Sequence, residues 1–158
     1  MESKKLSQKI GFIGGGQMAV ALAKGFIESE MVDPSQILVS APSDKNLKFW
    51  RENLKCSSTH DNSEVILKSD IVFLATKPHI YPVMLQDIKN GLKSDEMLTK
   101  VSKLYVSVMA GTKMEALSKS LKTIVESPRV IRVLPNTPVN VRTGCSAMSL
   151  GEGDYYFF

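Results

Sequence analysis

The chain has 158 residues, 43% hydrophobic and 23% charged, with 20 Lys and Arg against 16 Asp and Glu for a net charge of +4; this is the length of one domain, with enough apolar material for a core. The basic residues are scattered, with no dense run and no interleaved aromatics, which argues against a nucleic-acid partner and leaves a mild positive bias suited to a small anionic ligand. No apolar run reaches the length of a membrane span, and Cys56, Cys145, His60 and His79 show no CxxC or metal-ligand spacing, so no metal is expected and both thiols read as reduced and structural.

Residues 1–8 read as a flexible N-terminus. Met1-Glu2-Ser3-Lys4-Lys5 lacks the apolar core of a signal peptide and is too short for a transit peptide, so a soluble, cytoplasmic protein is the expectation. A single domain is expected over residues 9–150. It opens with an apolar strand at 9–13, passes through Gly14, Gly15 and Gly16, and enters a helix carrying Ala19, Leu22, Ala23, Phe26 and Ile27 at helical spacing. Gly14, Gly16 and Ala19 spell G-x-G-x-x-A, the dinucleotide-binding form of the glycine-rich turn. The chemistry needs these residue types because a pyrophosphate must come close to the free N–H groups at a helix N-terminus. A Cβ at Gly14 or Gly16 would obstruct the turn or the phosphate, and Ala19 lets the helix lie against the strand. The alternative reading of these residues is a glycine-rich loop without a ligand.

The second strand is expected at 37–40, after Pro34 and Ser35. Its end reads Ser40-Ala41-Pro42-Ser43-Asp44-Lys45, with no carboxylate at the tip, where NAD-binding domains place one on the ribose hydroxyl. Small hydroxyl residues and Lys45 favour the 2′-phosphate of NADP. The same residues also suit a plain turn with Ser43 or Asp44 as helix cap. Phe49 and Trp50 read as packing residues, and His60 as a surface or half-buried residue. Asp61 with Glu64 signals a capped helix before Val65, and Thr112 with Glu115 another before Leu117. Further strands are expected at 71–75, 104–108 and 130–134, short, rich in Val and Ile and bounded by turn formers.

Strand–helix alternation of this kind defines an α/β fold, a doubly wound and mostly parallel sheet with helices on both faces, a Rossmann-type dinucleotide-binding domain. Ligands of such sheets lie beyond the C-terminal strand ends. Those ends carry Ala75-Thr76-Lys77-Pro78, Met109-Ala110-Gly111-Thr112 and Pro135-Asn136-Thr137-Pro138, one rim able to face a cofactor. Lys77 reads equally as a cation near phosphate or ribose and as a solvated lysine. His79 reads as a surface residue before it reads as a proton donor.

Four blocks together resemble pyrroline-5-carboxylate reductase over roughly residues 10–144: Gly11-Phe12-Ile13-Gly14-Gly15-Gly16-Gln17-Met18-Ala19; Ala75-Thr76-Lys77-Pro78-His79; Ala110-Gly111; and Arg129-Val130-Ile131-Arg132-Val133-Leu134-Pro135-Asn136-Thr137-Pro138. Ser40-Ala41-Pro42-Ser43-Asp44 and Ala75-Thr76-Lys77-Pro78 look most like the cytosolic animal form. The resemblance implies reduction of the C=N bond of 1-pyrroline-5-carboxylate to L-proline, the last step of proline biosynthesis, with NADPH preferred over NADH. It also implies residue roles. Ile13, Gly14, Gly15, Gly16, Gln17 and Met18 would hold the pyrophosphate. Ala41 and Ser43 would lie near the 2′-phosphate and Asn62 on the adenosine ribose. Ala75, Thr76, Lys77, Pro78 and Ala110 would line the nicotinamide half, with Asn136, Thr137 and Pro138 as its floor.

The sequence departs from that family's pattern in two ways. The helical domain through which the family forms homo-oligomers and binds substrate has no counterpart here, so no catalytic residue is assigned. Residues 151–158, Gly151-Glu152-Gly153-Asp154-Tyr155-Tyr156-Phe157-Phe158, form an atypical aromatic tail, read as the end of a truncated splice product or of an imperfect gene model. Two classes of function follow: a proline-forming reductase whose cofactor-binding half is present, or a non-catalytic NADP(H)-binding module. A third reading is another Rossmann-type oxidoreductase, of the β-hydroxyacid or F420-linked kind, against which the block from Pro135 to Pro138 speaks.

Overall fold

The structure, a computed structural model, describes residues 5–92, 103–136, 138 and 143–150. Its elements in chain order are β1 (Ile10–Ile13), α1 (Gln17–Glu28), β2 (Ile37–Ser40), α2 (Asp44–Asn53), β3 (Ser57–Thr59), α3 (Asn62–Lys68), β4 (Ile71–Leu74), α4 (Tyr81–Gly91), β5 (Leu104–Ser107), α5 (Met114–Leu121), β6 (Arg129–Pro135) and β7 (Ser146–Leu150). They form one seven-stranded sheet in the order β3-β2-β1-β4-β5-β6-β7. All neighbours are parallel except β6 and β7, which run antiparallel. This is the expected doubly wound sheet. The chain first steps outward from β1 to β3, then returns through α3 to β4 on the other side of β1. The topological switch therefore lies between β1 and β4, which pair in register from Ile10 with Ile71 to Ile13 with Leu74.

Alternation along the strands divides the core in two. Phe12, Val39, Phe73 and Val106 point to the face covered by α1 and α2, where Ala19, Ala23, Leu47 and Trp50 pack. Ile13, Leu74, Tyr105 and Val130 point to the other face, against Val65 and Ile66 of α3, Met84 and Ile88 of α4, and Leu117 and Leu121 of α5. Phe12 stacks on Phe73 at 4.8 Å between centroids and meets Trp50 at 5.4 Å. Contacts of that kind contribute about 0.5–1.5 kcal/mol beyond area burial. They lie directly beneath the end of β1 and make the support of the glycine turn stiff.

Two strands escape the sequence pattern. β3 is three residues of Ser and Thr, half-buried at an edge, with no apolar signature. β7 is exposed along most of its length and is defined only by pairing with β6, Arg132 opposite Ser149. Boundaries also move: β4 and β5 end one residue before the expected 75 and 108, and β6 runs longer, from Arg129 to Pro135. Asp61 caps α3 as expected, accepting from the Ser63 N–H at 2.8 Å. Thr112 does not cap α5; Lys113 holds the cap position, without a side-chain hydrogen bond. The expected tail at 151–158 lies outside the described residues.

Candidate functional site

The glycine turn sits at the C-terminal end of β1, beside the switch point. Its first residue is held by backbone alone. Gly14 donates to the Ser40 carbonyl at 2.9 Å and has φ of +103°. A Cβ there would lie 2.6 Å from the Ala75 carbonyl oxygen. β1, β2 and β4 thus converge on a position only glycine fits. Gly15 is buried, and its carbonyl accepts the indole N–H of Trp50 at 3.2 Å. Gly16 is different in kind. It is the N-cap of α1, exposed, at φ −78°, and a Cβ on it would meet no protein atom within 4 Å. No side chain caps α1, and its first turn holds no acidic residue. Its opening N–H groups therefore face a space that the protein leaves open, at the positive end of a helix dipole. That space is a cleft of about 600 Å³ lined by Gly15, Gly16, Gln17, Val20, Asn46 and Phe49. A phosphate fits this donor set, and at Gly16 the room is kept by the lack of a side chain.

The other expected site residues fall on the same rim. Ile13 ends β1, buried, and Met18 lies half-buried in the first turn of α1. Ala41 follows β2, buried, and Ser43 is the N-cap of α2, though its side chain makes no capping hydrogen bond. Asn62 opens α3 and accepts from the Ser40 hydroxyl at 2.7 Å, which ties the end of β2 to the start of α3. Ala75 and Thr76 are half-buried past β4, with the Ala75 N–H bonded to the Ile13 carbonyl and the Thr76 hydroxyl 3.5 Å from the Met109 sulfur. Lys77, Pro78 and His79 are exposed, as is Ala110 past β5, beside Gly111 at φ +74°. Asn136 is exposed, and its side chain accepts from the Cys145 N–H at 2.9 Å, so this amide braces the β6–β7 connection. Pro138 is exposed, and Thr137 lies outside the described residues.

Three lining residues were not legible as such in the sequence: Val20, Asn46 and Phe49. Trp50 packs as expected, fully buried, whereas Phe49 is 38% exposed on the cleft with the Lys24 ammonium 5.9 Å from its ring centroid. The helical period of α2 holds the signal. Leu47, Trp50 and Leu54 form its buried stripe, which leaves Asn46 and Phe49 on the face toward α1. His60, expected to be unremarkable, bridges two elements: Nδ1 lies 2.9 Å from the Ala41 carbonyl and Nε2 lies 2.9 Å from an Asp44 carboxylate oxygen.

Three titrating groups around β3 and α3 are shifted from their ordinary values. Hydrogen bonds from Ser63, side chain first, hold Asp61 below the usual carboxylate range. Lys68 and then Thr59 do the same for Glu64. Burial pushes the Cys56 thiol up to about 11. Among the described residues there is no group of three or more His, Cys, Asp or Glu able to hold a metal, and no helix long and apolar enough to cross a membrane.

A parallel sheet with a glycine turn at its switch point, an uncapped helix N-terminus and an adjoining cleft defines a Rossmann-type dinucleotide-binding fold. The chain belongs to the family described as NADP oxidoreductase, coenzyme F420-dependent, whose sequence profile matches residues 9–111. It is 39% identical over 144 residues to pyrroline-5-carboxylate reductase 3 of Bos taurus, a match covering 91% of this chain and 43% of that protein. It is likewise 39% identical to pyrroline-5-carboxylate reductase 3 of Danio rerio, across 46% of that protein. Among solved structures, it resembles a pyrroline-5-carboxylate reductase from Coxiella burnetii with a TM-score of 0.79 and 33% identity, covering 93% of this chain and 51% of that one. It also resembles the Plasmodium falciparum pyrroline carboxylate reductase with NADP bound, with a TM-score of 0.73, 26% identity, and coverage of 95% and 50%. The chain spans about half the length of the relatives it matches.

Proposed function

We propose that this chain binds NADP(H) along the rim from Gly14 to Asn136 and serves as the cofactor-binding part of a pyrroline-5-carboxylate reductase. The observation that carries the reading is the pairing of Gly14 with Gly16. One is required by the fold; the other is kept empty in front of unpaired helix N–H groups. The names of the relatives supply the substrate class.

In this reading Ile13 to Met18 hold the pyrophosphate, Ala41 and Ser43 lie at the 2′-phosphate, and Asn62 reaches the adenosine ribose. Ala75 to Pro78 and Ala110 flank the nicotinamide, with Asn136 to Pro138 beyond it. The 2′-phosphate assignment, and with it a preference for NADPH over NADH, is supported by the small residues at the tip of β2 and by the absence of a carboxylate before Asp44. When bound, the reduced nicotinamide supplies hydride to the carbon of a C=N bond, whose π electrons become the lone pair of the product amine. A protonated imine is already electrophilic, so the task of these residues is to orient and exclude water more than to move protons. Substrate binding and oligomerisation are assigned to the part of the relatives that this chain does not span.

The test is a fluorescence titration of the 158-residue chain with NADPH, followed by addition of 1-pyrroline-5-carboxylate while the absorbance of the reduced nicotinamide is followed. Saturable binding without steady oxidation is the expected result for the chain by itself. Steady turnover would instead place the substrate site within this chain, and absence of binding would overturn the reading.

A further inference from the structure

We infer that His60 is a specificity-determining residue, which masks the Asp44 carboxylate and so lets the neighbouring loop accept the 2′-phosphate of NADPH. The inference rests on the dinucleotide reading above. Asp44 is the first residue of α2, next to Ser43 and four residues past Ser40, the last residue of β2. In this fold a carboxylate near the end of the second strand favours a ribose hydroxyl and repels a phosphate. An unmasked Asp44 would therefore oppose the cofactor preference that Ala41 and Ser43 permit.

The geometry shows how the opposition is removed. The His60 ring lies between the Ala41 carbonyl and the Asp44 carboxylate, 2.9 Å from each. Both partners are acceptors, so the ring satisfies both only when both nitrogens carry hydrogen. A ring that donates from Nε2 holds an Asp44 carboxylate oxygen in a charge-assisted hydrogen bond, which lowers the pull of that carboxylate on the loop. The remaining charged side chains near it have other partners. Arg51 donates to the Ser58 hydroxyl at 2.7 Å, Asp61 is occupied by Ser63, and Glu64 is paired with Lys68 at 2.6 Å. Lys45, adjacent to Asp44 in the same helical turn, is a cation beside Ser43. His60 arrives from β3, so the end of the edge strand sets the electrostatics of a loop that belongs to β2 and α2. A clip that only held the loop in shape would serve both nucleotides equally; charge masking serves the phosphorylated one.

The experiment measures dissociation constants of NADPH and NADH for the 158-residue chain, for His60→Gln, for Asp44→Asn and for the double variant, with a thermal melt of each. His60→Gln is expected to weaken NADPH by roughly five- to tenfold, the scale of one unit charge uncovered within a screened distance of a phosphate, and to leave NADH within about twofold. Asp44→Asn in the His60→Gln background is expected to restore NADPH binding, and Asp44→Asn alone to leave the NADPH-to-NADH ratio at or above that of the parent. A parallel loss of both nucleotides in His60→Gln, or no rescue by Asp44→Asn, overturns the masking role while the dinucleotide reading stands. Failure of the parent chain to bind either nucleotide overturns both. Should His60→Gln fail to fold, Asp44→Asn alone decides: a ratio that falls in that variant overturns the inference.

Discussion

Gly14 and Gly16 are two residues apart in one motif, yet they are expected to fail in opposite ways when substituted. Gly14→Ala places a Cβ 2.6 Å from the Ala75 carbonyl oxygen at a φ of +103°, a region that costs a non-glycine residue about 1–3 kcal/mol before the contact is relieved. For a chain of this length, 1 kcal/mol corresponds to about 2–4 °C in Tm. A loss of roughly 2–12 °C is therefore expected from the backbone conformation, with a further loss from moving β4 away from β1. Gly16→Asp meets no protein atom near its Cβ. It also supplies α1 with the side-chain cap and the first-turn negative charge that it lacks. Its stability should be unchanged or higher by about 0.5–1 kcal/mol. The same carboxylate takes the place offered to the pyrophosphate. At about 4 Å and an effective dielectric near 20 the repulsion is about 4 kcal/mol, or roughly a thousandfold in Kd. The assay pairs a thermal melt with an NADPH titration for both variants. Loss of Tm in Gly16→Asp matching that in Gly14→Ala, or retention of NADPH binding by Gly16→Asp, would refute the separation of the two glycines into fold and ligand roles.

Three further outcomes are expected. Trp50→Phe keeps most of the buried ring but leaves the Gly15 carbonyl without its indole donor, so it should cost about 1–2 kcal/mol in a denaturant melt and also weaken NADPH through the displaced turn; a stability loss with intact affinity would show that Gly15 is held by backbone alone. Asp61→Ala removes the cap of α3 and should cost about 1 kcal/mol at neutral pH. Because hydrogen bonds lower the folded-state pKa of Asp61, its contribution is full above the unfolded value of about 3.9 and is lost as pH falls through the folded value, so melts taken from pH 7 downward should converge for parent and variant; a gap that persists at the acid end would count against the cap. Cys56 is buried with its thiol pushed up to about 11, while Cys145 is exposed, so a thiol reagent near pH 8 should modify Cys145 rapidly in the native protein and Cys56 only after denaturation; equal rates for both would contradict the packing.

Apolar periodicity made five of the seven strands and the sheet's class legible in the sequence, because buried parallel strands must be apolar on both faces. β3 and β7 were not legible for a physical reason. Ser57, Ser58 and Thr59 sit at an edge and are strand only because β2 offers a ladder to them, with Leu38 opposite Ser57. Ser146 to Leu150 owe their conformation to β6 in the same way. Pairing is a long-range fact, and neither segment has an intrinsic pattern that announces it. Thr112 illustrates the local counterpart: its hydroxyl and Glu115 fit a capping box, but its carbonyl is held by the Arg132 guanidinium at 3.0 Å from β6, and the cap moves to Lys113. A tertiary hydrogen bond outweighed a local preference worth about 1 kcal/mol.

The site divides along the same line. Its backbone part, the turn from Gly14 to Gly16, could be read from spacing alone, since the donors are main-chain N–H groups and the only sequence requirement is the absence of side chains. Its side-chain part could not. Phe49 looked like core because an aromatic on a helix usually is, and only the phase set by Leu47 and Trp50 puts it on the cleft. His60 looked inert because its two partners, Ala41 and Asp44, lie 19 and 16 residues back in the chain, joined to it only when β3 pairs with β2. The strand that the sequence hid is therefore also the one that carries the least visible electrostatic feature of the site. This follows from what an edge strand is: with few apolar residues to spend on a core, its end is free to hold polar groups that adjust the loops beside it.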